Sequence, residues 1–203
     1  MNLQETDKLN LRFIEEADLK AVADMERLAN RVKDNPEWVQ PWTMGVPGIL
    51  DIIRQRRDEL RGTYDTRTMV VERPVPVESN PNQYAVQVCG AFSYELQPAG
   101  YELLYTVLHP DAKAECVLQI IAYYLRGKAD RSPVRRKVIH YVRDRDEAGL
   151  RTLLPFWKSR GFAVHLVRDH FENNIDGWRL TYESEVPNDE RDKHDQDKER
   201  QSQ

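Results

Sequence analysis

The chain predicts an α+β fold: a mixed, mostly antiparallel central sheet flanked by helices, with elements in the order β-α-α-β-β-β-α-β-α-β-β. Three observations carry that expectation. Between Arg67 and Leu108, apolar runs of strand length alternate with turn residues. The apolar strand Glu102-Leu-Leu-Tyr-Thr-Val-Leu108 runs through His109-Pro110 into an apolar helix and on to the strand Lys137–Val142, which makes one parallel pair. A helix ending at Gly161 is followed by two further strands.

Leu9 to Ile14 alternates as an opening strand. Glu15-Glu16-Ala17-Asp18 then starts a helix with Leu19, Val22, Ala23, Met25 and Leu28 at helical spacing. Residues 35–48 carry Trp38, Trp42 and three prolines and read as an ordered loop, before a second helix from about Pro47 to Leu60. Arg67–Glu72 is a strand, Pro74–Pro81 a proline-rich loop, and Tyr84–Leu96 a long strand. Gly90 hints there at a bulge or a close backbone approach. Gln97-Pro-Ala-Gly100 turns into the strand from Glu102. Cys116–Arg126 is the crossover helix, and a basic connector leads to Lys137. The helix Asp146–Ser159 contains Pro155, which calls for a kink or a break. Phe162–Arg168 and Gly177–Glu183 close the sheet. Residues 1–186 read as a single domain and 187–203 as a disordered polar tail.

At 203 residues and 40% apolar content the chain can bury one core. A net charge of -4 gives no general basic surface for nucleic acid. No run approaches the roughly 20 apolar residues of a membrane span, so no membrane partner is expected. Two cysteines, Cys89 and Cys116, in apolar stretches suit a reducing, cytoplasmic setting.

Three segments together resemble the GNAT N-acetyltransferase superfamily. Leu11-Arg-Phe-Ile-Glu-Glu-Ala-Asp-Leu19 is similar to its first strand and helix start. Glu102–Leu118 is similar to its central strand, turn and cofactor helix, and Phe156-Trp-Lys-Ser-Arg-Gly-Phe162 to its Gly-Phe helix end. The resemblance implies a V-shaped opening between Leu103–Leu108 and Lys137–Val142 that admits acetyl-CoA. Backbone at Thr106, Val107 and Leu108 would hold the pantetheine, with the pyrophosphate on Lys113, Ala114, Glu115, Cys116, Val117 and Leu118. It also implies an N-acyltransferase acting on a small-molecule or peptide amine. Its alternative is a catalytically inactive binding or assembly module of the same fold.

Two departures stand out. The family's turn is glycine-rich, whereas Ala114, Cys116 and Leu118 carry side chains that would hold a phosphate off the backbone donors. Glu115 adds a negative charge, costing under ~1 kcal/mol in water and about 3 kcal/mol at an effective dielectric of 20 for a separation of ~6 Å. Trp157 stands where the family often has an acidic Tyr, and indole is no useful acid.

Glu102 is the candidate general base. Alternation places it on one face with Leu104, Thr106 and Leu108; the plainer reading is a solvated carboxylate at a strand start. Trp38 and Trp42 either line the acceptor pocket or cap the core. Cys116 at a helix start suits a nucleophile, although no base lies near it in sequence. The five His, including His140, His165 and His170, form no metal pattern, so no metal is expected. Arg126, Lys128, Arg131, Arg135, Arg136 and Lys137 either face an acidic partner or are solvated. Sheet extension through the last strands would make a homodimer.

Overall fold

The computed structural model describes residues 9–31, 66–132, 136–143, 147–171 and 175–185. Within them one sheet contains β1 (Asn10–Phe13), β2 (Thr66–Val77), β3 (Asn80–Gln97), β4 (Gly100–Leu108), β5 (Lys137–Arg143), β6 (Ala163–Phe171) and β7 (Ile175–Glu183). Three described helices accompany it: α1 (Leu19–Arg31), α2 (Ala114–Asp130) and α3 (Glu147–Lys158). The strand order is β1-β2-β3-β4-β5-β7-β6, antiparallel except where β4 meets β5. The expected α+β sheet is therefore present. The second helix, the Trp38–Trp42 loop and the polar tail lie outside the described residues.

The two faces of the sheet are built differently. On one, Phe92 and Tyr94 pack their rings against Tyr124 of α2, whose hydroxyl lies 3.1 Å from the Tyr94 hydroxyl. Val117, Leu118, Ile121, Ala122 and Leu125 on that helix are buried. The opposite face carries the buried pair Thr68–Ser93, with hydroxyls 2.8 Å apart. Arg12 pairs in register with Val70 and reaches both Asp18, at 2.6 and 2.8 Å, and Glu72. Asp18 is 7% exposed and also accepts the Glu15 amide, so α1 is pinned to this face at its start. The Arg12 guanidinium holds the Asp18 carboxyl below its usual range.

Two glycines are fixed by their surroundings. A Cβ at Gly90 would lie 2.7 Å from Val117 Cγ1, so its absence lets α2 settle on β3. Next to it, Cys89 is the extra residue where the β2–β3 register shifts. Gly161 has φ +82 and ends α3.

Three expectations are corrected. The stretch from Pro74 is not a loop, because β2 continues to Val77 with Pro74 opposite Val86 and Pro76 opposite Tyr84. Among the described residues β1 reaches only to Glu72, so there the prolines sit on a strand edge with no second ladder partner. Pro155 does not break α3, which runs on to Lys158; the proline falls in its last turn. Finally, strict alternation fails in β4. Leu103 pairs with Tyr94 and Tyr105 with Ser93, leaving Leu104 as an extra residue. Parity flips at that bulge, so Thr106, paired with Phe92, lies on the α2 face while Glu102, paired with Glu95, lies on the other.

Candidate active site

The parallel pairing of β4 with β5 covers only Gly100–Leu103 against Lys137–His140. Beyond it, β5 remains paired to β7 through Arg143, and among the described residues β4 from Tyr105 remains paired to β3 alone. The expected opening is present and starts at the bulge. Residues 104–108 thus present a strand edge with no β5 partner, inside a sheet rather than at its margin.

Side chains at the vertex are polar but uncharged. His140 Nδ1 donates to Leu103 O at 3.2 Å. Desolvation pushes the His140 pKa down to about 4, against the opposing backbone bond, so the imidazole is neutral near pH 7. Trp157 packs on it, with ring centroids 5.6 Å apart, and on Phe162 at 4.8 Å. Trp157 is 1% exposed, and its Nε1 has no acceptor among the described residues. Thr106, 5% exposed, has an equally unmatched Oγ1. Buried polar atoms without partners cost roughly 1–3 kcal/mol each, which a ligand would relieve.

The turn after β4 delivers the start of α2. Lys113 takes extended backbone at the helix cap; its carbonyl accepts from the amides of Cys116 and Val117 at 2.9 and 3.3 Å, and the amides of Ala114 and Glu115 have no acceptor among the described residues. Lys113 and Glu115 are exposed, while Ala114 and Cys116 are partly buried. Val117 and Leu118 are buried in the core, so Leu118 does not crowd the turn as expected; only Ala114 and Cys116 remain to do so. Exposure of Glu115 puts its repulsion towards the low end of the range above. Beside the turn is a cavity of about 290 Å³ lined by Arg73, Cys89, Asp111, Lys113, Cys116 and Val117. Burial raises the Cys89 thiol to about 11, which leaves it protonated.

Glu102 is half-buried two residues before the bulge, on the face opposite Thr106. Its pKa is raised, first by desolvation and then by Glu95 across the β3–β4 pair. A carboxylate moved up this way is a better proton acceptor than one in water. Trp38 and Trp42 lie outside the described residues. His170 stacks on Tyr141 at 4.0 Å, and His165 is exposed. Of the basic connector, Arg126 and Lys128 belong to α2 itself, and Arg136 bonds Pro98 O.

Sequence reasoning missed two contributors. His140 was weighed only as a metal ligand, and its place at the vertex depends on strand register that no motif encodes. Arg160 was read only as part of the Gly-Phe helix end; its position just before Gly161 was the available signal.

No family model matches the sequence, and no curated protein sequence matches it. Solved structures do match. Spermidine N-acetyltransferase from Vibrio cholerae, in complex with CoA and spermine, superposes with a TM-score of 0.57 at 15% identity, covering 88% of this chain and 96% of that one. A dodecameric form of the Vibrio cholerae enzyme gives 0.54 at 16% identity, covering 87% and 94%. The ribosomal-protein-S18-alanine N-acetyltransferase from Escherichia coli gives 0.52 at 13%, covering 88% and 96%. The chain therefore has the GNAT fold, over most of its length.

Proposed function

We propose that this chain is an N-acyltransferase that moves an acetyl group from acetyl-CoA to an amine by direct attack. The observation carrying this reading is the open edge of β4 from Leu104 to Leu108 beside the amino end of α2. An unpaired strand edge accepts an extended amide-bearing chain as if it were another strand. Backbone at Thr106, Val107 and Leu108 holds the pantetheine arm and polarises the acyl carbonyl. The helix start from Lys113 to Leu118 takes the pyrophosphate, with the amides of Ala114 and Glu115 as its available donors beside Lys113. The unmatched Thr106 Oγ1 and Trp157 Nε1 suit a ligand carrying both donors and acceptors.

Acetyl-CoA supplies the acyl group, activated as a thioester. Glu102 accepts the proton of the attacking amine, directly or through water, from the face opposite the α2 side. Trp157 keeps its indole proton and can only donate a hydrogen bond, so the departing thiolate takes its proton from solvent.

The acceptor is a small-molecule or peptide amine. The spermine in one similar structure and the alanine in another's description are both amines. A homodimer would use the β6 edge of the sheet. No described helix is long and apolar enough to cross a membrane; with Cys89 and Cys116 in no disulfide among the described residues, we place the protein in the cytoplasm.

The second reading, a silent binding or assembly module, is favoured by the indole at Trp157 and by the glycine-free turn. A thermal-shift titration separates the two. Acetyl-CoA at 100 times its Kd should add about 2.7 kcal/mol of stability; no shift at millimolar concentration supports the silent module.

A further inference from the structure

Arg160 follows α3, one turn beyond Trp157, and its guanidinium leans across to α2. Nη1 donates to Phe156 O at 3.1 Å and to Ser159 Oγ at 2.9 Å, and Nη2 to Gln119 Oε1 at 3.3 Å. Its Cζ lies 3.6 Å from the centre of the Phe156 ring. The Nε is buried with no acceptor, and no carboxylate lies within ion-pair distance among the described residues. Arg126 beside it donates to Arg160 O at 2.7 Å, and its own Nε is also buried and unmatched. Desolvation lowers the Arg160 pKa, opposed by Tyr123 and Glu115.

A partly desolvated guanidinium without a counter-ion is costly, and here it contacts the second turn of α2 through Gln119. The adjoining helix start favours negative charge for its own reason. Trp157 at the vertex and Arg160 one turn further on, which reaches α2 through Gln119, thus lie on one stretch of chain beside that helix. We propose that Arg160 binds the phosphates of the nucleotide, supplying by side chain what the absent glycines would have supplied by backbone approach. This rests on the acyl-CoA reading above. The planar fork matches phosphate oxygens bidentately, and the weakest of its bonds, that to Gln119, is the one displaced. Its charge also offsets Glu115.

The test compares acetyl-CoA with S-acetylpantetheine, which has the thioester arm but no pyrophosphate. Affinities are measured for wild type, Arg160→Gln and Arg160→Lys by calorimetry, and by saturation-transfer NMR for the weaker ligand. Arg160→Gln should weaken acetyl-CoA ten- to a hundredfold and leave S-acetylpantetheine within twofold. Arg160→Lys, which keeps charge but loses the fork, should fall between. Wild-type affinity for acetyl-CoA should drop with added salt more steeply than that of Arg160→Gln, while Arg160→Lys, which keeps the charge, should follow the wild-type slope. Unchanged acetyl-CoA affinity in Arg160→Gln overturns the proposal, as does an equal loss for both ligands, which would mark Arg160 as packing only. Wild type that binds no acetyl-CoA overturns the transferase reading itself, and this proposal with it.

Discussion

Along β4, residues from Gly100 to Leu103 are bonded to strands on both sides, whereas among the described residues those from Tyr105 to Leu108 are bonded to β3 alone. The half from Leu104 is the more apolar, with Thr106 its one polar residue, and the bulge at Leu104 divides the two. The closed half packs Leu103 into the core and ends at the His140–Leu103 contact. The open half leaves backbone groups unmatched in the middle of a sheet, a place where proteins ordinarily complete the ladder. An interior edge kept open next to a helix start is what a bound, strand-like ligand would explain. The difference teaches that the pairing defect, rather than any motif, locates the site.

The largest effect should come from Glu102, at the end of the closed half. Glu102→Gln should slow acyl transfer about 10²–10⁴-fold in steady-state assays while the acetyl-CoA thermal shift persists. Because the Glu102 pKa is raised, wild-type kcat/KM should rise with pH through a midpoint above 4.5. Unchanged turnover in the variant removes Glu102 from the mechanism.

The comparison sharpens if the far side of the sheet is broken instead. Arg12→Ala leaves Asp18 buried without its partner and should cost about 3 kcal/mol in chemical denaturation. Affinity for acetyl-CoA at the open half should not move.

His140 tests the vertex through pH. Its folded pKa of about 4 lies below the ordinary 6.5, so the unfolded chain binds the extra proton between those values. Stability from this group is complete above pH 6.5 and is lost as pH falls towards 4. The ceiling is about 3 kcal/mol, reduced by the ring's partial exposure. His140→Asn should flatten that part of the stability profile, and an unchanged slope would place the imidazole in water.

The smallest effect is expected at Gly90. Gly90→Ala brings a Cβ to 2.7 Å from Val117 and 3.2 Å from Leu108, and should cost about 1–2 kcal/mol in thermal unfolding. By tilting the first turn of α2 it should also weaken acetyl-CoA binding severalfold, which Arg12→Ala should not.

Much of this architecture was legible because it is written in local patterns. The strand–turn–helix run from Glu102 to Leu118, the Gly90 close approach and the Gly161 helix end each follow from short-range chemistry. The Pro74–Val77 strand was not legible, since proline argues against a strand until one knows that β1 stops at Glu72. The faces of β4 were misassigned for a similar reason: alternation assumes one residue per rung, and Leu104 breaks that count. The Glu102 and Thr106 positions could be named from sequence, but not that they face opposite sides. The place of His140 at the vertex was not legible because it is acquired through a distant partner, Leu103, and the Arg160–Gln119 contact likewise depends on packing between helices.

Amide hydrogen exchange with and without millimolar acetyl-CoA tests the open edge most directly. The account predicts new protection over residues 104–108 and 114–118, with none over 67–73 on β2. Exchange that is unchanged throughout β4 and the first turn of α2 would contradict it.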